Sequence, residues 1–64
     1  MALDTAQLSS LSSALEELSR RVTRMADEYQ GSPREDVAAD LYEVERHLVA
    51  ATRRLKTLVD RTTR

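Results

Sequence analysis

Apolar residues recur along this sequence at alternating intervals of three and four residues, in two runs that are interrupted once near the middle of the chain. A period of 3.5 residues places such a series along one side of an α-helix, whereas a β-strand needs a period of two. The pattern therefore predicts two amphipathic helices with one apolar stripe each. The first run contains Leu8, Leu11, Leu15, Leu18, Val22, Met25 and Tyr29. The second run contains Val37, Leu41, Val44, Leu48, Ala51, Leu55 and Leu58.

The interruption holds the only glycine and the only proline of the chain, Gly31 and Pro33. Gly31 suits the position after a helix C-cap, because a left-handed backbone costs glycine little. Ser32 is the predicted N-cap of the second helix, with Pro33 at the first helical position and Glu35 completing a capping box. The break therefore predicts a turn between two separate helices.

Asp4 is the predicted N-cap of the first helix, with Gln7 three residues later in a second capping box. These end signals predict a single domain over residues 1–64. Helix 1 is expected at about 5–29, the turn at about 30–32 and helix 2 at about 33–62.

The connection is so short that the two helices must run antiparallel. Counting outward from the turn, Met25 is opposite Val37 and Leu8 is opposite Leu55, so the two stripes stay in register over their whole length. The expected fold is all-α, an antiparallel two-helix hairpin of the coiled-coil type. Its predicted core consists of Leu8, Leu11, Leu15, Leu18, Val22, Met25, Val37, Leu41, Val44, Leu48, Leu55 and Leu58.

A chain of 64 residues without cysteine has neither a large core nor a disulfide to stabilise a lone hairpin. Beside each stripe runs a line of smaller residues, which would let a second pair of helices approach closely. We therefore expect two hairpins to dimerise into a four-helix bundle, or the same surface to bind a helix of another protein. The predicted interface consists of Ala26, Ala38, Tyr42, Val49, Thr52 and Val59.

Charge is divided between the two ends of the expected hairpin, although the net charge of the chain is only −1. Residues 25–45 carry seven acidic side chains against Arg34, which is a net charge of −6. Residues 46–64 carry six basic side chains against Asp60, which is a net charge of +5. Two hairpins packed antiparallel would therefore place each acidic end on a basic one.

The sequence lacks the motifs of the common catalytic sites. It has no glycine-rich phosphate loop and no nucleophile elbow, and its one histidine, His47, has no metal-ligand pattern around it. We expect no enzymatic activity, no cofactor and no metal. The chain also lacks a run of about 18 apolar residues, so we expect no membrane association and a cytoplasmic location. The expected function is protein–protein interaction, as a small regulator or assembly adaptor.

Binding of nucleic acid is the alternative function. Basic residues along the second helix could follow the phosphates of DNA or RNA. Acidic residues interleave with them and no aromatic residue accompanies them, so we rank this function second. The candidate anion-binding residues are Arg46, Arg53, Arg54 and Arg61.

Overall fold

The protein is a pair of α-helices packed against each other, as seen in a computed structural model that describes residues 4–62. Helix α1 spans Thr5–Tyr29 and helix α2 spans Glu35–Thr62. The pair measures 50 × 16 × 14 Å, so the chain turns back on itself and the helices lie side by side along their length. The prediction of an all-helical hairpin is confirmed. Its dimerisation is taken up below.

Asp4 caps the start of α1 as predicted. Its backbone is extended, with φ −89° and ψ 94°, and its Oδ1 accepts a hydrogen bond of 2.9 Å from the backbone N–H of Gln7. The carboxylate also lies at the positive end of the helix dipole. The side chain therefore satisfies one of the backbone donors that the first turn leaves unpaired.

The two helices are joined through a type II β-turn. Gln30, the C-cap of α1, has φ −66° and ψ 129°, and Gly31 follows with φ 79°. The backbone N–H of Ser32 donates to the carbonyl oxygen of Tyr29 at 3.1 Å, which closes the turn. Gly31 thus occupies the position after the C-cap that the sequence predicts, and it does so in the left-handed backbone region.

Helix α2 begins two residues later than predicted, at Glu35. The Oγ of Ser32 accepts from the backbone N–H of Arg34 at 3.1 Å and donates to the carbonyl oxygen of Tyr29 at 2.6 Å. The side chain of Glu35 contacts the residue before Ser32: its Oε1 accepts a hydrogen bond from the backbone N–H of Gly31 at 2.9 Å. The residues between Ser32 and Glu35 therefore form a tight turn that leads into the helix.

Replacing Gly31 by valine is expected to lower the free energy of unfolding by about 1–2 kcal/mol, because a β-branched residue resists a left-handed backbone. A Cβ atom at this position would meet nothing within 4 Å, so the loss comes from the backbone conformation and not from a clash. Gly31→Asn is the control, since asparagine tolerates this region better and should lose less. Urea unfolding followed by circular dichroism measures both variants. Equal midpoints for Gly31→Val and the wild type would show that the turn lies elsewhere.

The most deeply buried contacts between the helices are made by small residues, and the half-buried inner rows of the leucine stripes flank them. The four buried side chains of the described chain are Ser12, Ala26, Ala38 and Thr52, and Ala26 is 0% exposed. We call the contact row to which they belong the seam. Its members recur every seven residues, and they are Thr5, Ser12, Ser19, Ala26, Ala38, Glu45, Thr52 and Val59.

This packing corrects the predicted hairpin core. Leu11, Leu18, Met25 and Val44 are 43–51% exposed, and the other eight predicted core residues are half-buried. Small side chains let the two helix axes approach closely, and the leucines then cover the edge of the contact without filling it. Heptad spacing could not reveal this, because every row of a helix repeats at the same interval as its neighbouring row.

Candidate protein–protein interface

The twelve predicted core residues form one continuous apolar surface of the hairpin, which we call the leucine face. Two central rows are half-buried against each other, one from each helix. An outer row on each helix extends the surface sideways, and most of its members are exposed. None of the large apolar side chains in residues 4–62 is buried. The hairpin by itself therefore leaves its main apolar surface in contact with water.

Charged and polar residues border the leucine face along both helices. On α2 the bordering row is Asp40, His47, Arg54 and Arg61, and on α1 it includes Arg21 and Glu28; all six are exposed. The acids lie toward the turn and the arginines of α2 toward the opposite end. Within the described residues, Glu28, Asp40, Arg54 and Arg61 form no ion pair. Their charges remain available to a molecule that binds the leucine face.

The predicted interface residues lie in the seam or on the side opposite to the leucine face. Ala26, Ala38 and Thr52 are buried between the two helices, which corrects their predicted place in an oligomer interface. Val59 and Tyr42 are half-buried. Only Val49 is exposed, by 37%, beside Ser19 and Thr52 in a shallow groove of about 320 Å³. The small residues therefore hold the hairpin together instead of binding a second one.

Two polar contacts join the helices on this opposite side. Lys56 Nζ lies 2.8 Å from Glu16 Oε1, and this hydrogen bond, with the attraction between the two charges, lowers the pKa of Glu16. The hydroxyl of Tyr42 donates a hydrogen bond to Asp27 Oδ1, which raises the pKa of Tyr42. Asp27 lies near the C-terminal end of α1, where the helix dipole disfavours a carboxylate. The bond from Tyr42 gives this unfavourable acid a structural role.

The seam also contains two hydroxyl groups that find no hydrogen-bond partner within residues 4–62, the Oγ atoms of Ser12 and Ser19. Burying an unpaired hydroxyl costs free energy, and alanine favours the helix more than serine does. Ser12→Ala is therefore expected to raise the free energy of unfolding by about 1 kcal/mol. Ser10→Ala, at an exposed position of the same helix, should raise it less because only the helix propensity changes. Thermal unfolding measures both, and a less stable Ser12→Ala variant would mean that the hydroxyl is bound.

The candidate anion-binding arginines do not act as one group. Arg46 forms an ion pair with Glu43 one turn earlier on the same helix. Arg53, Arg54 and Arg61 line a shallow depression of about 450 Å³ on the outer side of α2, together with Ala50 and Thr57. This depression has no acidic residue in its lining, so three of the four arginines keep a surface that could attract an anion.

The sequence pattern identified the leucines but did not indicate that small residues are the most deeply buried side chains between the helices. The signal that could have indicated this lay in the adjacent row, where Ser12, Ser19 and Ala26 face Ala38 and Thr52 at the same seven-residue interval. Such a run of small residues on both helices is typical of a close helix–helix contact. The outer rows of the leucine stripes are left largely exposed.

Comparison with protein-family models, with curated proteins and with solved structures finds no match for this chain. No helix within residues 4–62 is both long enough and apolar enough to cross a lipid bilayer. Among the same residues, no group of three or more His, Cys, Asp or Glu side chains is placed to hold a metal ion.

Proposed function

We propose that this protein is a protein–protein interaction module that works as a homodimer, in which the leucine faces of two hairpins pack together as a four-helix bundle. In this role it would act as a small regulator or assembly adaptor. The observation that supports the proposal is the leucine face itself, since Leu11 is 51% exposed and Leu18 is 43% exposed in its outer row on α1. Contiguous apolar surface of this kind on a small protein marks an interaction site.

The size of the surface fits a stable interface. The broad side of the hairpin, 50 Å by 16 Å in Cα extent, corresponds to roughly 800 Å², which is what each partner contributes to an interface of standard size. Within residues 4–62, a single hairpin buries none of its leucines fully, whereas two leucine faces together would enclose a core from four sides. Dimerisation would thus supply the hydrophobic burial that a chain of this length lacks when alone.

A second copy is the occupant that the surface matches in length and in pattern. Each leucine face consists of four parallel rows, and a second face of the same length covers all four. Symmetric dimers of this kind are the most frequent oligomers of soluble proteins. A foreign helix, by contrast, would cover only the central groove and leave the outer rows exposed.

Size-exclusion chromatography with light scattering tests the proposal directly. The expected mass is twice the 7.3 kDa of the chain at micromolar concentration. Helicity and the unfolding midpoint should both fall on dilution, because dissociation removes the partner that stabilises the helices. A monomer that remains fully helical at high concentration would overturn the homodimer.

Nucleic-acid binding is a second candidate because the depression between Arg53, Arg54 and Arg61 carries no acid. Such a surface would bind phosphates, and its affinity would fall steeply with added salt. Fluorescence polarisation with a labelled DNA duplex and a labelled RNA at low salt measures it. Arg53→Glu should abolish binding, and absence of binding by the wild type would remove this function.

A further inference from the structure

We infer that the two hairpins of the proposed dimer pack antiparallel, with Asp40 of each protomer beside Arg54 of the partner subunit. This inference rests on the proposed function, because it concerns how the two leucine faces meet. The twofold axis would cross the helices at the level of His47. Each turn would then lie at the free end of the other hairpin.

Charges along one edge of α2 are ordered from acidic near the turn to basic near the free end. Asp40, His47, Arg54 and Arg61 follow one another at intervals of seven residues beside the outer apolar row, so they form one edge of the leucine face. The sign of the charge changes along this edge from negative near the turn to positive near the free end. An edge of this kind is complementary to its own reversed copy and not to a copy that runs in the same direction.

Two leucine faces can meet in two ways, with the turns at the same end or at opposite ends. If the turns lay at the same end, α1 of each protomer would cover α2 of the other, and both Glu28 and Asp40 of each protomer would gather at that end. Two carboxylates would then lie side by side on each edge at the turn end, and Arg54 and Arg61 of both protomers would lie at the opposite end. Antiparallel packing instead places α2 on α2 and brings Asp40 and Arg54 to the same level. Like charges across an interface are unfavourable, so the antiparallel arrangement is preferred.

The apolar outer rows are also symmetric, each about a level near the middle of its own helix. On α2 the outer row contains Val37, Val44, Ala51 and Leu58, whose centre lies beside His47. On α1 the outer row contains Leu11, Leu18 and Met25, whose centre is Leu18. Reversing one hairpin near these levels therefore places apolar rows on apolar rows.

The charges concerned also have no other use in the hairpin. Asp40 and Arg54 are exposed and make no ion pair within the described residues. Other charges of the same helix are paired, for example Arg46 with Glu43 and Lys56 with Glu16. Asp40 and Arg54, like Arg61 farther along the edge, have no ion-pair partner in the described residues, and a reversed copy would neutralise the first two.

A charge exchange tests the arrangement. Asp40→Arg and Arg54→Asp are prepared separately, and the dissociation constant of each is measured by sedimentation. Each homodimer should be weakened about tenfold, since both copies of the pair become repulsive. When the two variants are mixed, every edge pair regains opposite charges, and a heterodimer of near wild-type affinity should form. Mixing that restores nothing would overturn the antiparallel arrangement.

A cysteine at the axis gives a second and independent readout, because the chain has no cysteine of its own. His47→Cys should form an intermolecular disulfide under mild oxidation, since only residues near the twofold axis meet their own copy. Asp40→Cys alone should not, whereas Asp40→Cys mixed with Arg54→Cys should. A disulfide from Asp40→Cys alone would overturn the arrangement. A wild type that is monomeric in light scattering would instead overturn the dimer itself, so the two failures are distinguishable.

Discussion

Leu18→Asp is expected to dissociate the proposed dimer. Leu18 lies midway along the outer row of α1, where it is 43% exposed in a single hairpin and would be covered by the partner subunit. The substitution removes two buried leucines from a symmetric interface and places two carboxylates in their stead. We expect a loss of at least about 3 kcal/mol in dimerisation, which is more than a hundredfold in the dissociation constant. Light scattering over a concentration series measures it.

Val49→Asp is the matched control for this variant. Val49 is 37% exposed, close to the exposure of Leu18, but it lies on the side of the hairpin opposite to the leucine face. The same charge is thus introduced at a similarly exposed apolar position, and the dimer should survive. If Val49→Asp dissociates the dimer and Leu18→Asp does not, the interface lies on the opposite side, and the leucine face is not the interaction surface.

Ala26→Leu is expected to disrupt the hairpin itself. Ala26 is 0% exposed in the seam and lies in the last turn of α1, shortly before the connection to α2. A leucine there has no space, so the helices must separate or the side chain must leave its preferred rotamer. Insertion of extra carbon atoms into such a contact costs about 1–3 kcal/mol. Urea unfolding followed by circular dichroism measures this loss.

Ala50→Leu serves as the comparison, because Ala50 is exposed on the outer side of α2. The same enlargement at this position should leave the unfolding midpoint within about 0.5 kcal/mol of the wild type. If Ala26→Leu and Ala50→Leu are equally stable, the small-residue seam is contradicted. The leucines would then be the main contact between the two helices.

The two sides of each helix thus serve different purposes in this protein. Small residues such as Ser12 and Ala38 bring the two helices of one chain together, and the polar contacts Lys56–Glu16 and Tyr42–Asp27 strengthen the same pairing. The outer leucine rows remain exposed, and we propose that a second copy covers them. This division explains how a chain of 64 residues can form a defined hairpin while still offering an apolar surface.

The sequence by itself determined where the helices begin and end. Asp4 caps α1, and Gly31 makes the turn, because hydrogen bonds between near neighbours and the backbone preferences of single residues decide these features. The start of α2 differs from the prediction: the residues after Ser32 form a turn in which Glu35 accepts from the N–H of Gly31 instead of that of Ser32. The heptad spacing likewise determined that each helix carries an apolar stripe.

Only the tertiary structure decided which side of that stripe faces the neighbouring helix. Leu18 and Ser19 are adjacent in the chain and belong to rows with the same seven-residue period, so spacing treats them alike. The choice depends on how closely two helix axes can approach, which depends on the volumes of Ala26, Ala38 and Thr52 together. The combined volume of side chains from both helices takes effect only once the helices are packed. It leaves the outer rows of the predicted core exposed, as part of the surface that we propose as the interface.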